Sequence, residues 1–203
     1  LSRLLLIRHA PTAETGVRLT GRLPGVSLSE QGRTAAAALG ERLASTRVHA
    51  VYTSPIERTR ETADAIARHQ RLEPIGHDGL LEVDYGDWSG RTLRSLYRLK
   101  AWRTVQFAPS RMRFPNGESL TEAQARGVAA CEEAAARHPR RTVALVTHGD
   151  IIRSAVAHFL GEPLDLFQRV TVAPASVTVI DLDDGRPPRV VAVNGNGEST
   201  TWQ

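Results

Sequence analysis

Three apolar runs in this 203-residue chain end in side chains that suit an anion. They are Leu4-Leu5-Leu6-Ile7-Arg8-His9, Val51-Tyr52-Thr53-Ser54 with Arg58 shortly after, and Ala144-Leu145-Val146-Thr147-His148-Gly149. Arginine forks match phosphate oxygens, and a neutral imidazole can attack phosphorus. A single Arg-His pair at the end of a strand is commonly no more than a solvated cap. Strands of an open α/β sheet, however, deliver ligands to their carboxyl ends. If these three strands run parallel, their ends lie on one edge and can surround one ligand, and His9 is then expected to do chemistry on a phosphate held by Arg8.

The elements that must position these groups follow from periodicity and caps. Residues 3–8 read as a strand buried on both faces. Pro11, Gly16, Gly21, Pro24 and Gly25 punctuate a long loop, and Ser29 caps a helix reaching about Ala44. Residues 49–53 form a second strand. Ser54 is read as the cap of the next helix, with Pro55 at its first position and Glu57 closing a capping box; the helix runs to about His69 and holds Arg58 in its first turn. A short strand over 72–77 and an Asp- and Gly-rich loop over 80–90 follow. Residues 92–106 are expected to be one helix with Leu93, Leu96 and Leu99 on one side, and 107–117 irregular. Ser119-Leu120-Thr121-Glu122 is a capping box opening a helix to about Arg137. Residues 141–147 are a strand and 151–160 a helix. Strands over 170–182 and 190–193 close the chain, joined by a turn at Asp183-Asp184-Gly185. This alternation predicts a single domain over 1–203: a three-layer α/β/α fold whose sheet is mostly parallel, with helices on both faces and an antiparallel C-terminal strand.

Composition narrows the classes. Hydrophobic residues make up 41% and charged residues 24% of the chain, without low-complexity tracts, so it is globular. The net charge of +4 is carried by arginine, Lys100 being the only lysine. Aromatics are only 5% and the arginines are scattered, which disfavours nucleic acid as a partner. Cys131 is the only cysteine, so neither an internal disulfide nor a cysteine-based zinc site can form. No apolar run approaches the roughly 20 residues needed to cross a bilayer, and the first strand leaves no room for a secretory signal. A cytoplasmic location, no membrane partner and no cofactor are expected, and a homodimer through a sheet edge is compatible with the sheet.

Further along, the residues resemble the histidine phosphatase (phosphoglycerate mutase-like) superfamily. The matches are Leu6-Ile7-Arg8-His9 with Thr12, Ser54-Pro55 with Arg58 and Thr62-Ala63, Leu81-Glu82 with Gly86, Trp88 and Gly90, Pro115 with Gly117-Glu118-Ser119, and Val146-Thr147-His148-Gly149. The resemblance implies that His9 is the nucleophile and that Arg8, Arg58 and His148, beside Gly149, hold the phosphate. It also implies that Glu82 is the acid and base, with Asp84 and Asp87 as nearby competitors. It implies a small phosphorylated substrate. Thr15 stands where many members carry a phosphate-binding asparagine, so its hydroxyl replaces that contact or the contact is absent. Thr20, Gly21 and Arg22 are candidates for the entrance, meeting the outer part of the substrate. Trp88 is read as packing, and His49, His69, His77, His138 and His158 as ordinary histidines.

Ala10 and Pro11 depart from the family's glycine and acidic residue. Ala10 is expected at negative φ with its amide able to face the phosphate. Three other readings stand beside the phosphatase: a phosphoglycerate mutase, a hydrolase whose metal is held by His9, Glu82, His148 and Asp150, and a non-catalytic anion-binding module. Arg8 beside His9 would repel a cation, and no close ligand motif appears, so no metal is expected. The short stretch between Glu82 and Ser119 favours hydrolysis over mutase chemistry.

Overall fold

A computed structural model describes residues 1–183 and 185–197. The apolar runs become β1 (Ser2–Arg8), β2 (Ala50–Thr53), the two-residue β3 (Ile75–Gly76), β4 (Thr142–Thr147), β5 (Val177–Asp183) and β6 (Arg186–Gly195). The helices are α1 (Glu30–Leu43), α2 (Glu57–Gln70), the short α3 (Leu93–Leu96) and α4 (Trp102–Phe107), then α5 (Leu120–Arg137) and α6 (Gly149–Leu160). The strands form one sheet in the order β3-β2-β4-β1-β5-β6. β1, β2, β3 and β4 are mutually parallel, whereas β5 runs antiparallel to β1 and to β6.

Alternate side chains of each parallel strand enter opposite cores, as a period of two requires. Leu4, Leu6, Tyr52, Val143 and Leu145 pack under α5 and α6, and Leu5, Ile7, Val51, Ala144 and Val146 pack under α1 and α2. These strands are thus buried on both faces, and the layers are α/β/α. Leu6 and Tyr52 both pair with Leu145, so β1, β2 and β4 finish level on one edge.

Three local expectations are corrected. Residues 92–106 do not form one helix: α3 ends at Leu96 and α4 begins at Trp102. In a continuous helix Trp102 would point about 180° away from Leu93. The break lets both reach one apolar cluster, where the Trp102 ring stacks on Trp88 at 6.1 Å. The strand expected from residue 170 starts only at Val177, because Pro174 interrupts the run and Ala175 adopts φ 58°. Ser54 is not a helix cap: α2 starts at Glu57 behind Ile56, without a side-chain cap bond, and the Ser54 hydroxyl is taken by a tertiary partner described below. The turn expected at Asp183-Asp184-Gly185 includes Asp184, which lies outside the described residues.

Edge strand β6 carries Arg186, Pro187, Pro188 and Arg189, and its pairing with β5 is irregular. Prolines, charges and bulges blunt an edge against further pairing.

The loop between β3 and α3 is locked backbone to backbone against the turn before α5. Asp87 N donates to Pro115 O at 2.9 Å, and Glu118 N donates to Asp84 O at 3.0 Å. Gly86 sits in this contact at φ 49°, where an added Cβ would lie 2.0 Å from Pro115 O. Gly86→Ala is therefore expected to destabilise the fold by about 2–4 kcal/mol, combining left-handed strain with a backbone clash. Urea unfolding measures this, and a loss below about 0.5 kcal/mol, the range of ordinary surface substitutions, would contradict it.

Candidate active site

The level strand ends open into a cavity of about 590 Å³ whose inner wall includes Arg8, His9, Arg58, Glu82 and Gly149. β1 carries Arg8 and His9 straight into it. His9 is buried, and its Nδ1 lies 2.8 Å from the carbonyl of Ala10. A carbonyl only accepts, so Nδ1 carries the proton and Nε2 keeps a free lone pair. Burial, then the charge of Arg58, push the His9 pKa down to about 3, so the ring is neutral near pH 7. The Ala10 backbone has negative φ, as expected, but its amide donates to Thr62 Oγ1 at 3.0 Å and does not face the cavity.

The two phosphate candidates are held in place yet only partly satisfied. Arg8 NH1 donates to Val172 O at 2.6 Å, a carbonyl of the irregular segment before β5. Arg58 NH2 donates to Gly21 O at 2.7 Å. Arg8 Nε and both Nε and NH1 of Arg58 are buried without a hydrogen-bond partner among the described residues. Buried charged donors left unpaired are costly, and an anion in the cavity is the group that could satisfy them. Gly149 makes this packing feasible, since a Cβ there would press on the Arg8 guanidinium at 3.2–3.3 Å.

His148 differs from its expected place. It is fully buried behind His9, with ring centroids 5.3 Å apart, and it does not line the cavity. Arg58 NH2 lies 3.3 Å from Nδ1, and Nε2 lies 2.9 Å from Ser54 Oγ. Arginine only donates, so Nδ1 accepts and Nε2–H donates to the serine. Both nitrogens are thus engaged, and the ring orients Arg58 where phosphate contact was expected. Burial and the charge of Arg58 also hold its pKa well below the usual histidine range, so His148 is neutral.

Glu82 comes from the loop after β3 and faces the same inner wall. Its Oε1 accepts from Val83 N at 2.9 Å, and its Oε2 lies 4.0 Å from His148 Nδ1, which is too far for a hydrogen bond. Burial, with the Asp150 charge second, pushes the carboxyl up to about 7. Neither competitor is free: Asp84 accepts from Gly86 N, and Asp87 from Asn116 Nδ2.

A brace invisible to local sequence patterns positions Glu82. Arg126 on α5 donates to the carbonyls of Gly79, Leu81 and Glu82, and with Arg22 it grips the Glu118 carboxylate. Arg22 was expected at the entrance. It instead donates Nε to Glu82 O at 2.8 Å and does not line the cavity, because Glu118 draws it behind the loop. Thr15, Thr20 and Gly21 do line the cavity. The Thr15 hydroxyl is, however, occupied by the Thr12 amide at 2.9 Å, and Gly21 serves through the carbonyl that anchors Arg58. Tyr85, Asp150 and Arg153 also line the wall and were not singled out for phosphate chemistry; Asp150 was weighed only as a metal ligand. Among the described residues, no group of three or more His, Cys, Asp or Glu side chains is placed to share a metal ion. The lining also includes the apolar and aromatic residues Leu19, Leu93, Tyr97, Trp102 and Val105, with Arg18, Gln106 and Gln168 as polar members. No helix among the described residues is long and apolar enough to cross a membrane.

Known proteins resemble this chain in sequence and in fold. The sequence profile of the histidine phosphatase superfamily (branch 1) matches residues 4–196. Phosphoserine phosphatase 1 of Hydrogenobacter thermophilus is 32% identical over 91% of this chain and 88% of its own length. A glucosyl-3-phosphoglycerate phosphatase of Mycolicibacterium vanbaalenii is 31% identical over 80% of this chain and 76% of its own. Among solved structures, YhfR of Bacillus stearothermophilus superposes with a TM-score of 0.88 at 31% identity, covering 97% of this chain and 98% of that one.

Proposed function

As the chain belongs to the histidine phosphatase superfamily and is a phosphatase enzyme, we propose that it hydrolyses a small phosphorylated metabolite through a phosphohistidine on His9. In the first step Nε2 of His9 attacks phosphorus and the ester P–O bond breaks. The protonated Glu82 carboxyl gives its proton to the departing alkoxide. In the second step the Glu82 carboxylate takes a proton from water. The water oxygen attacks phosphorus, the P–N bond breaks, and inorganic phosphate leaves a neutral His9. Arg8 and Arg58 offset the charge on the phosphoryl oxygens throughout, where donors fixed in advance avoid reorganisation. Thr20 meets the substrate beside them, and Gly149 lets Arg8 lie close to the start of α6. His148 acts as a positioning residue through Arg58.

One observation carries this reading: three buried guanidinium nitrogens without partners among the described residues line the same cavity as a neutral imidazole whose Nε2 accepts no hydrogen bond from them. Exposed Tyr97 and Gln106 at the mouth leave the cavity open to water, which favours hydrolysis over return of the phosphoryl group to a second substrate. Rapid mixing with p-nitrophenyl phosphate, followed by mass spectrometry without acid, tests the proposal. One acid-labile phosphoryl group on the peptide containing His9 is expected; turnover with no phosphoenzyme, or a label elsewhere, would overturn it.

A further inference from the structure

The reaction above leaves a charged cluster of the wall unused. Tyr85 Oη donates to Asp150 Oδ2 at 2.7 Å, and Arg153 NH1 donates to Asp150 Oδ1 at 3.1 Å. All three side chains line the cavity. Asp150 thereby fixes the guanidinium through one of its five donors and leaves most of the fork to other partners. Arg153 Nε is buried with no hydrogen-bond partner among the described residues, while the side chain as a whole is 29% exposed. On α6, Arg153 lies one turn beyond Gly149, the residue packed against the Arg8 guanidinium. That offset is about 6 Å along the helix, so a second cation stands a few atoms beyond the phosphate end. The charge of Arg153 is among those that lower the pKa of Arg8, in keeping with this proximity.

The local charge balance selects what this cation can bind. A second dianionic phosphate would be repelled by Asp150. A neutral hydroxyl would leave a partly desolvated guanidinium poorly satisfied. A carboxylate is planar, carries one negative charge and matches the fork. We propose that Arg153, fixed by Asp150, binds a carboxylate on the leaving group, so that the enzyme selects phosphomonoesters of small carboxylic acids. This rests on the phosphatase reading and narrows its substrate class.

The test uses two ester pairs that contrast a carboxylate with its absence or with a hydroxymethyl group: phosphoserine against phosphoethanolamine, and 3-phosphoglycerate against glycerol 3-phosphate. In the wild type the kcat/KM ratio within at least one pair is expected to favour the acid by about ten- to a hundredfold, the worth of a charge-assisted bond. Arg153→Gln should bring that ratio close to one, and Arg153→Lys should restore part of it by returning the charge without the fork. Thermal melting of both variants separates misfolding from lost recognition. If the wild type turns over p-nitrophenyl phosphate but shows no acid preference in either pair, the carboxylate assignment is overturned and the phosphatase reading stands. A preference that survives Arg153→Gln overturns the assignment to Arg153. Failure of the wild type to hydrolyse p-nitrophenyl phosphate as well as all four of these esters overturns the phosphatase reading, and the carboxylate assignment with it.

Discussion

His9→Ala is expected to lower kcat/KM by about ten-thousandfold or more and to abolish phosphoenzyme formation. A loss of that size is about 5.5 kcal/mol of transition-state stabilisation, within the range seen when a nucleophile is removed. No neighbour can take over. His148 is 5.3 Å away, centroid to centroid, but it is fully buried and both of its nitrogens are engaged. Arg8 and Arg58 would still hold phosphate, so the variant should retain thermal stabilisation by inorganic phosphate, which separates lost chemistry from lost folding. Turnover within tenfold of wild type would sink the mechanism. The pH profile provides a second check. Because burial and Arg58 push the His9 pKa down to about 3, the nucleophile stays neutral through the ordinary histidine range. Loss of kcat/KM on acidification through the ordinary histidine range should therefore not come from His9.

The part of the site carried by regular strands was readable in advance. Continuous apolar runs ending in Arg8-His9 and His148-Gly149 imply buried parallel strands, and the observed register brings those ends level. What sequence patterns missed depends on contacts between distant segments. Ser54 has every local feature of a helix cap, yet its hydroxyl pairs with a histidine 94 residues away, and tertiary hydrogen bonding overrides the local motif. Arg22 is a plausible entrance residue until Glu118, 96 residues on, fixes it behind the loop. Glu82 lies on a segment without periodicity, so family resemblance alone singled it out. Its carbonyl is held by Arg126, 44 residues later, in the middle of a helix that gives no hint of this task. The amphipathic side of 92–106 was real, but it could not reveal that Leu93 and Trp102 must reach the same cluster from separate helices.

Glu82→Gln should produce the most informative loss, because its size depends on the leaving group. For alkyl phosphates the departing alkoxide is strongly basic and needs a proton, so kcat/KM is expected to fall by about a hundred- to ten-thousandfold. For p-nitrophenyl phosphate the leaving phenolate is stable unprotonated, and single-turnover phosphorylation of His9 should fall less than about tenfold. Equal losses for both substrates would remove Glu82 from the role of acid. The pH dependence follows from the same carboxyl. Its pKa is raised to about 7, by burial first and Asp150 second, so it is protonated below that pH and ionised above it. The phosphorylation step needs the acid form and should weaken as pH rises through about 7, whereas hydrolysis of the phosphoenzyme needs the base form and should weaken as pH falls through it. A bound phosphate adds negative charge nearby and moves the first limb upward. Phosphoenzyme should accordingly accumulate on the acid side with p-nitrophenyl phosphate, where its formation continues but its hydrolysis slows. In the Gln variant both limbs should vanish, since the amide does not titrate; their persistence would assign them to another group.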